Sequence, residues 1–163
     1  MVAGARTDDG FDARFPSPVC VLGIRTEGAR LAEIRFLPRS TKLQAPLNST
    51  AQEVCEQLER YLADPEFRFS LKLKSGGTEH QRAVWSQMRR LRPGRTMTYG
   101  DLAIRLKSSP RAVGQACGAN SIPIVIPCHR IVASGGLGGF AHCDDGFPLN
   151  VKRWLLDHEH ARW

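Results

Sequence analysis

No stretch of this 163-residue sequence is apolar for long enough to span a bilayer, and its start carries no signal-peptide pattern. No helical membrane anchor is expected, and the expected setting is intracellular, with no membrane partner. Cysteine is sparse and unpatterned. Cys20, Cys55, Cys117, Cys128 and Cys143 form an odd set without CxxC spacing, so reduced thiols are expected rather than a disulfide framework. There is no HxxxH pair, no internal repeat and no low-complexity segment. Acidic residues are scarce in one half only. Residues 1–75 hold 11 basic and 10 acidic side chains, whereas 76–163 hold 12 and 6. That asymmetry fits a polyanion partner for the second half and fits equally a basic protein without one. With 42% hydrophobic and 24% charged residues, the chain is globular and long enough to bury a core.

The pattern predicts an α+β protein in two parts, a small α/β domain over 1–75 and a mainly helical winged helix-turn-helix domain over 76–163. Residues 1–10 read as a disordered, frayed terminus or an expression remnant. "SPVCVLGI" and "ARLAEIRFL" alternate and flank "RTEG", which predicts a β-hairpin. "NSTAQEVCEQLERYLADP" has capping residues at 48–50 and apolar Val54, Leu58, Tyr61 and Leu62, an amphipathic helix stopped by Pro65. "FRFSLKLK" predicts a third strand, and "SGGT" a linker. The first half shows no chemistry, and Cys20 and Cys55 read as core thiols.

In the second half, "EHQRAVWSQMRRL" places Val84, Met88 and Leu91 on one helix face, and "RPGR" is a turn. "TYGDLAIRL" and "PRAVGQACGAN" are two short helices joined by "KSS", a helix-turn-helix candidate with Ser109 as N-cap and Pro110 at the first helical position. Apart from Arg111 and Gln115, the second helix is built of small residues. It suits a shallow fit into a minor groove, or tight packing on another helix. "ASGGLGGFAHCDDG" reads as a loop or wing. The final helix, "PLNVKRWLLDHEH", turns Val151, Trp154, Leu155 and His158 inward.

Within "IPIVIPCHRIV", Cys128 is a nucleophile, a metal ligand or a core thiol. A reactive thiol needs a base or a positive field. His129 is adjacent, but neighbouring side chains on extended chain diverge, so a water would link them. Glu159, eight residues beyond Val151, is a candidate to fix the His129 tautomer, or else an exposed residue at a fraying helix end. A zinc site drawing on His142, Cys143, Asp144 and Asp145 lacks the usual ligand spacing.

The order of "PRAVGQACGANSIPIV", "IPCHRI", "SGGLGGF" and "KRWLLDHE" resembles the O6-alkylguanine-DNA alkyltransferases over most of residues 80–160. The resemblance implies single-turnover transfer of an alkyl group from O6-alkylguanine in double-stranded DNA to Cys128, after the base is flipped through the minor groove. No cofactor or metal is implied. O4-alkylthymine is a second candidate substrate. The implied state is a monomer, with cooperative binding on DNA left open. His129 would be the base and Glu159 its orienting carboxylate. Tyr99 would help rotate the nucleotide, and Asn120 would order the active-site turn. Arg111 would fill the vacated stack, with Thr98, Tyr99, Ala112, Gly114 and Gln115 at the DNA. Pro123, Val125, Phe140 and Ala141 would line the base pocket.

The chain departs from the family pattern at several positions. Ser121 replaces a usual Pro, Phe140 a common Tyr, Ala141 a frequent Ser and His80 a usual aromatic, and the 141–149 loop is longer. Three rivals stand beside this reading. They are a lesion sensor that binds without repairing, a sequence-reading winged-helix regulator, and a cysteine hydrolase.

Overall fold

The computed structural model describes residues 9–140 and 146–163, which divide into two compact units, Met1–Ser75 and Gly76–Trp163. The fold is α+β. The first unit contains an antiparallel sheet of β1 (Ala13–Pro16), β2 (Val21–Glu27) and β3 (Arg30–Leu37) in the order β1-β2-β3. Strands β2 and β3 form the expected hairpin, but the turn is tighter than "RTEG" suggested. Glu27 pairs with Arg30, leaving Gly28 and Ala29 as a two-residue loop with Gly28 at φ +57°. Helix α1 (Ser49–Ala63) starts at Asn48, whose side chain accepts from Ala51 N, and packs on β2 and β3. Val54, Leu58 and Tyr61 of α1 and Ile24, Leu31 and Ile34 of the sheet are all buried.

The third strand is β1, not the expected 67–74 segment. Phe67, Phe69, Leu71 and Leu73 do alternate half-buried against exposed neighbours. That stretch nevertheless bonds to the sheet only around Leu31, through a single bridge to Leu73. Alternation reports a half-buried extended chain, whereas a strand also needs a partner for its ladder.

The second unit is mainly helical. Helix α2 (Glu79–Arg90) opens with a reciprocal capping box between Thr78 and Gln81 and buries Val84 and Met88. A short strand, β4 (Met97–Thr98), leads into α3 (Tyr99–Leu106) and α4 (Pro110–Gly118). Thr98 caps α3, Ser109 caps α4, and Lys107 takes the left-handed conformation between them, at φ 53°. A 3₁₀ turn over Cys128–Arg130 runs into β5 (Ile131–Val132), which pairs in parallel with β4.

Helix α5 (Gly146–His158) closes the unit with Val151, Lys152, Leu155 and Leu156 buried. Trp154 and His158, expected inside, are only half-buried and stack on each other at 4.9 Å. The inward stripe is rotated by one position and includes a lysine. Among the described residues, no helix is long and apolar enough to cross a membrane.

Candidate active site

The site begins at the C-terminal end of α4. Asn120 accepts from Ile122 N (3.0 Å) through Oδ1 and donates to Ile126 O (2.8 Å) through Nδ2. It thereby braces a tight turn in which Ile126 N also donates to Ile122 O. Inside this turn Ile124 has φ +74°. A β-branched residue there is strained by about 1–3 kcal/mol and persists only where its surroundings hold it. The two Asn120 bonds are that hold. The turn delivers Pro127 and Cys128 to the start of the 3₁₀ turn, with Cys128 N donating to Ile126 O (2.8 Å).

Cys128 is buried, with 6% of its surface exposed. Burial pushes its thiol up to about 11, although the Asn120 side chain, the Lys152 ammonium and the backbone N–H groups of Cys128 and His129 pull it back. At neutral pH, forming the thiolate unaided would then cost about 5 kcal/mol. A thiol in this position needs a base.

The next residue is a candidate for that base. His129 is fully buried, and its Nε2 lies 2.7 Å from Glu159 Oε1. Glu159 also accepts from Arg130 Nη2 (2.8 Å) and Nε (3.0 Å), and from Gly94 N (3.4 Å). Burial alone would raise the Glu159 carboxyl, but contact with His129 and Arg130 outweighs it and holds the group ionised, well below the usual carboxylate range. A carboxylate can only accept, so His129 Nε2 carries the hydrogen. Burial lowers the basicity of His129 and keeps it neutral, against the opposing pull of Glu159. Its Nδ1 is then a bare lone pair. Nδ1 is also the one buried side-chain nitrogen or oxygen without a hydrogen-bond partner among the described residues. The geometry fixes both the tautomer and the ring orientation of a base beside Cys128.

Two charged residues in this cluster have roles that the sequence did not suggest. Arg130 bridges Glu159 to Leu91 O (2.6 Å) and neutralises the buried carboxylate. Lys152, with no exposed surface, donates to Ile131 O (2.7 Å) and Gly139 O (2.8 Å) and lies over the Tyr99 and Phe140 rings. Burial depresses its pKa to about 8, while Cys128 and Cys117 oppose that shift. The available signal was the stripe Lys152, Leu155, Leu156 and Glu159, spaced i, i+3, i+4, i+7 along α5 and one residue past its end. Arg130 stands inside the "IPCHRI" motif, but the sequence suggested no role for it.

Around these groups, Pro123, Val125 and Phe140 are buried, whereas Ala141 and the 142–145 stretch lie outside the described residues. Tyr99, at the first position of α3, donates from its hydroxyl to Gly139 O (3.1 Å). Gly138 (φ +73°) lets the wing approach that ring, since a Cβ there would lie 2.9 Å from Tyr99 Cε2. Tyr99 and Lys152 therefore share one acceptor from the wing, Gly139 O.

Helix α4 buries Val113, Ala116 and Cys117 and exposes Arg111 and Gln115, with Ala112 and Gly114 half-buried beside them. Thr98 is half-buried at the foot of α3. A Cβ on Gly114 would meet nothing within 4 Å. Packing within the protein therefore does not require glycine there, although glycine in mid-helix costs about 1 kcal/mol relative to alanine. Two bonds fix α4 against α2, Trp85 Nε1 to Ala116 O (2.8 Å) and His80 Nε2 to Ser108 Oγ (2.8 Å) at the inter-helix turn.

A small-residue helix, a buried Cys-His-Glu set and a short parallel β4–β5 pair all lie in the second unit. Residues 79–161 match the family model described as the 6-O-methylguanine DNA methyltransferase DNA-binding domain. The chain is 33% identical to a methylated-DNA–protein-cysteine methyltransferase of Methanosarcina acetivorans, over 91% of this chain and 97% of that one. It is 36% identical to the protein of that name from Haemophilus influenzae, covering 89% and 83%. Among solved structures it resembles Mycobacterium tuberculosis OGT in complex with DNA, with a TM-score of 0.76 and 30% identity, covering 93% of this chain and 94% of that one. The chain belongs to the methylated-DNA–protein-cysteine methyltransferase family.

Proposed function

We propose that this protein repairs DNA by moving the alkyl group of O6-alkylguanine onto Cys128, once per molecule. The observation that carries the reading is the buried array in which Glu159 fixes the His129 tautomer and leaves Nδ1 ready to take a proton. A water between Nδ1 and the thiol completes the relay. As the sulfur attacks, the S–C bond forms and the C–O6 bond breaks. The thiol proton passes to His129, and guanine leaves as an anion that must be protonated. The Tyr99 hydroxyl is the proposed donor, redirected from Gly139 O when the base is bound. His129 then gives up its proton to solvent and Tyr99 regains one from solvent, so that, net, one proton passes from sulfur to guanine. The thioether product has no good leaving group, so the protein is consumed.

The target carbon is buried in a duplex, so the nucleotide must leave the stack, at a cost of a few kcal/mol. Helix α4 suits a shallow minor-groove seat, with Gly114 and Ala112 at closest approach and Arg111 free to enter the gap. Lysines and arginines supply the sequence-independent attraction. Pro123, Val125 and Phe140 are the proposed walls of the base pocket.

Stoichiometry tests the proposal. Titrating protein into excess duplex carrying one O6-methylguanine should remove one lesion per protein molecule and then stop. Continued turnover would overturn the single-use mechanism. Binding without loss of the lesion would favour a sensor.

A further inference from the structure

Four arginines, Arg89, Arg90, Arg92 and Arg95, crowd the end of α2 and the turn after it, and all four are exposed. None has a side-chain ion pair or hydrogen bond among the described residues. Arg89 and Arg90 complement the helix C-terminus and need no further explanation. Arg92 and Arg95 lie beyond the helix, at the two corners of a β-turn.

This turn is built and held. Arg95 N donates to Arg92 O (3.0 Å), Pro93 sits at the second position, and Gly94 has φ +83°, the pattern of a type II turn. Such a turn places the first and fourth Cα atoms within about 7 Å, so two guanidinium-bearing side chains spring from neighbouring points of the backbone. The backbone is anchored from beneath. Leu91 O accepts from Arg130 Nη1, and Gly94 N donates to Glu159 Oε2. Gly94 is required on two counts, its positive φ and the 3.0 Å that would separate a Cβ from Glu159 O. Like charges held together without a counter-ion cost energy, which an external anion would relieve.

The position of the turn names the anion. Arg95 is four residues before Tyr99, and the intervening segment includes β4. At about 3.3 Å per residue, Arg95 Cα lies within roughly 13 Å of Tyr99 Cα, about the axial rise of four base steps at roughly 3.4 Å each. We infer that Arg92 and Arg95 form a phosphate grip for the backbone of the duplex being repaired, separate from Arg111 and the face of α4. This rests on the reading of the chain as a protein acting on duplex DNA. The grip adds affinity without sequence information, and it lies directly on the backbone bonded to the Glu159–Arg130 pair.

The test is binding of an unmodified duplex by the full chain, measured by fluorescence anisotropy across a salt series. R92Q/R95Q should flatten the slope of log K against log salt by about 0.9 for each phosphate no longer neutralised, about 1.8 in all. R92K/R95K, which keeps both charges, should retain most of the slope. R68Q/K72Q, the same charge change in the first unit, should leave it nearly unchanged. An unaltered slope in R92Q/R95Q, or an equal flattening in R68Q/K72Q, would overturn the grip, the latter because a general field would explain it. Melting curves check that each variant is folded, and the single variants R92Q and R95Q substitute if the double variant is not. Wild-type protein that neither binds duplex nor gains an alkyl group would defeat the functional reading instead.

Discussion

Glu159→Gln removes one charge and exchanges one acceptor oxygen for a donor. Glu159 receives four N–H groups, from His129, Arg130 (twice) and Gly94. A glutamine keeps one acceptor oxygen, and its NH₂ must face N–H groups it cannot satisfy. The Arg130 guanidinium, 8% exposed, loses its counter-charge. Breaking a buried pair by removing one partner costs about 3–5 kcal/mol. For a unit the size of residues 76–163, that lowers the melting temperature by on the order of 20 °C.

The kinetic loss is separate. Without the carboxylate, His129 loses the group that raises its basicity and orients its ring, and general-base assistance worth about 10²–10⁴-fold should largely disappear. The assay is alkylation of Cys128 by free O6-benzylguanine against pH, well below the variant's melting temperature. In the wild type the rate should rise only until His129 is neutral, below its ordinary 6.5, and then level off. In the variant it should be slower and keep climbing toward the thiol's own value of about 11. A variant that melts early but keeps the wild-type profile would refute the relay and leave Glu159 a purely structural role.

Arg111→Ala should slow repair in duplex DNA far more than reaction with the free benzylated base. Equal losses on the two substrates would remove Arg111 from the DNA gap. Asn120→Ala deletes two turn bonds and leaves Ile126 O and Ile122 N without the Asn120 side chain. It should cost about 2–4 kcal/mol by denaturant unfolding and lower Cys128 reactivity at least tenfold. Alkali should destabilise the fold through its buried thiols. Burial lifts Cys55 from 9.0 to about 12, with Glu56 and Glu59 adding to the shift, so the unfolded state ionises first. The stability present below pH 9 is lost progressively between about 9 and 12, about 4 kcal/mol for this thiol. Melting curves at rising pH should therefore fall less steeply in Cys55→Ala than in the wild type.

Helices α2 to α5 of the second unit were legible in the sequence because caps and breakers mark them, whereas the two-residue strands β4 and β5 went unseen. Thr98, Ser109 and Pro110 locate α3 and α4 almost to the residue. In the first unit β1 went unseen, because Ala13–Pro16 is short and its partner lies across a turn. The 67–74 alternation was overread because burial period does not reveal hydrogen-bonding partners. The Cys128, His129 and Glu159 positions could be named from motif order, but their contact could not be derived, since about thirty residues separate the histidine from the carboxylate. Lys152 was hidden by the ordinary expectation that a lysine faces water. Its ammonium is instead satisfied by two carbonyls and two aromatic faces, an environment that only the folded chain assembles.

The central claim is that Cys128 takes the alkyl group and keeps it. Intact-protein mass should be recorded after incubation with a duplex bearing one O6-methylguanine, with Cys128→Ala in parallel. The account predicts a gain of one methyl group on the wild-type chain, persistent on standing, and none on the variant. A wild-type chain that binds the duplex but gains no mass, or a Cys128→Ala chain that gains the same mass, would contradict it.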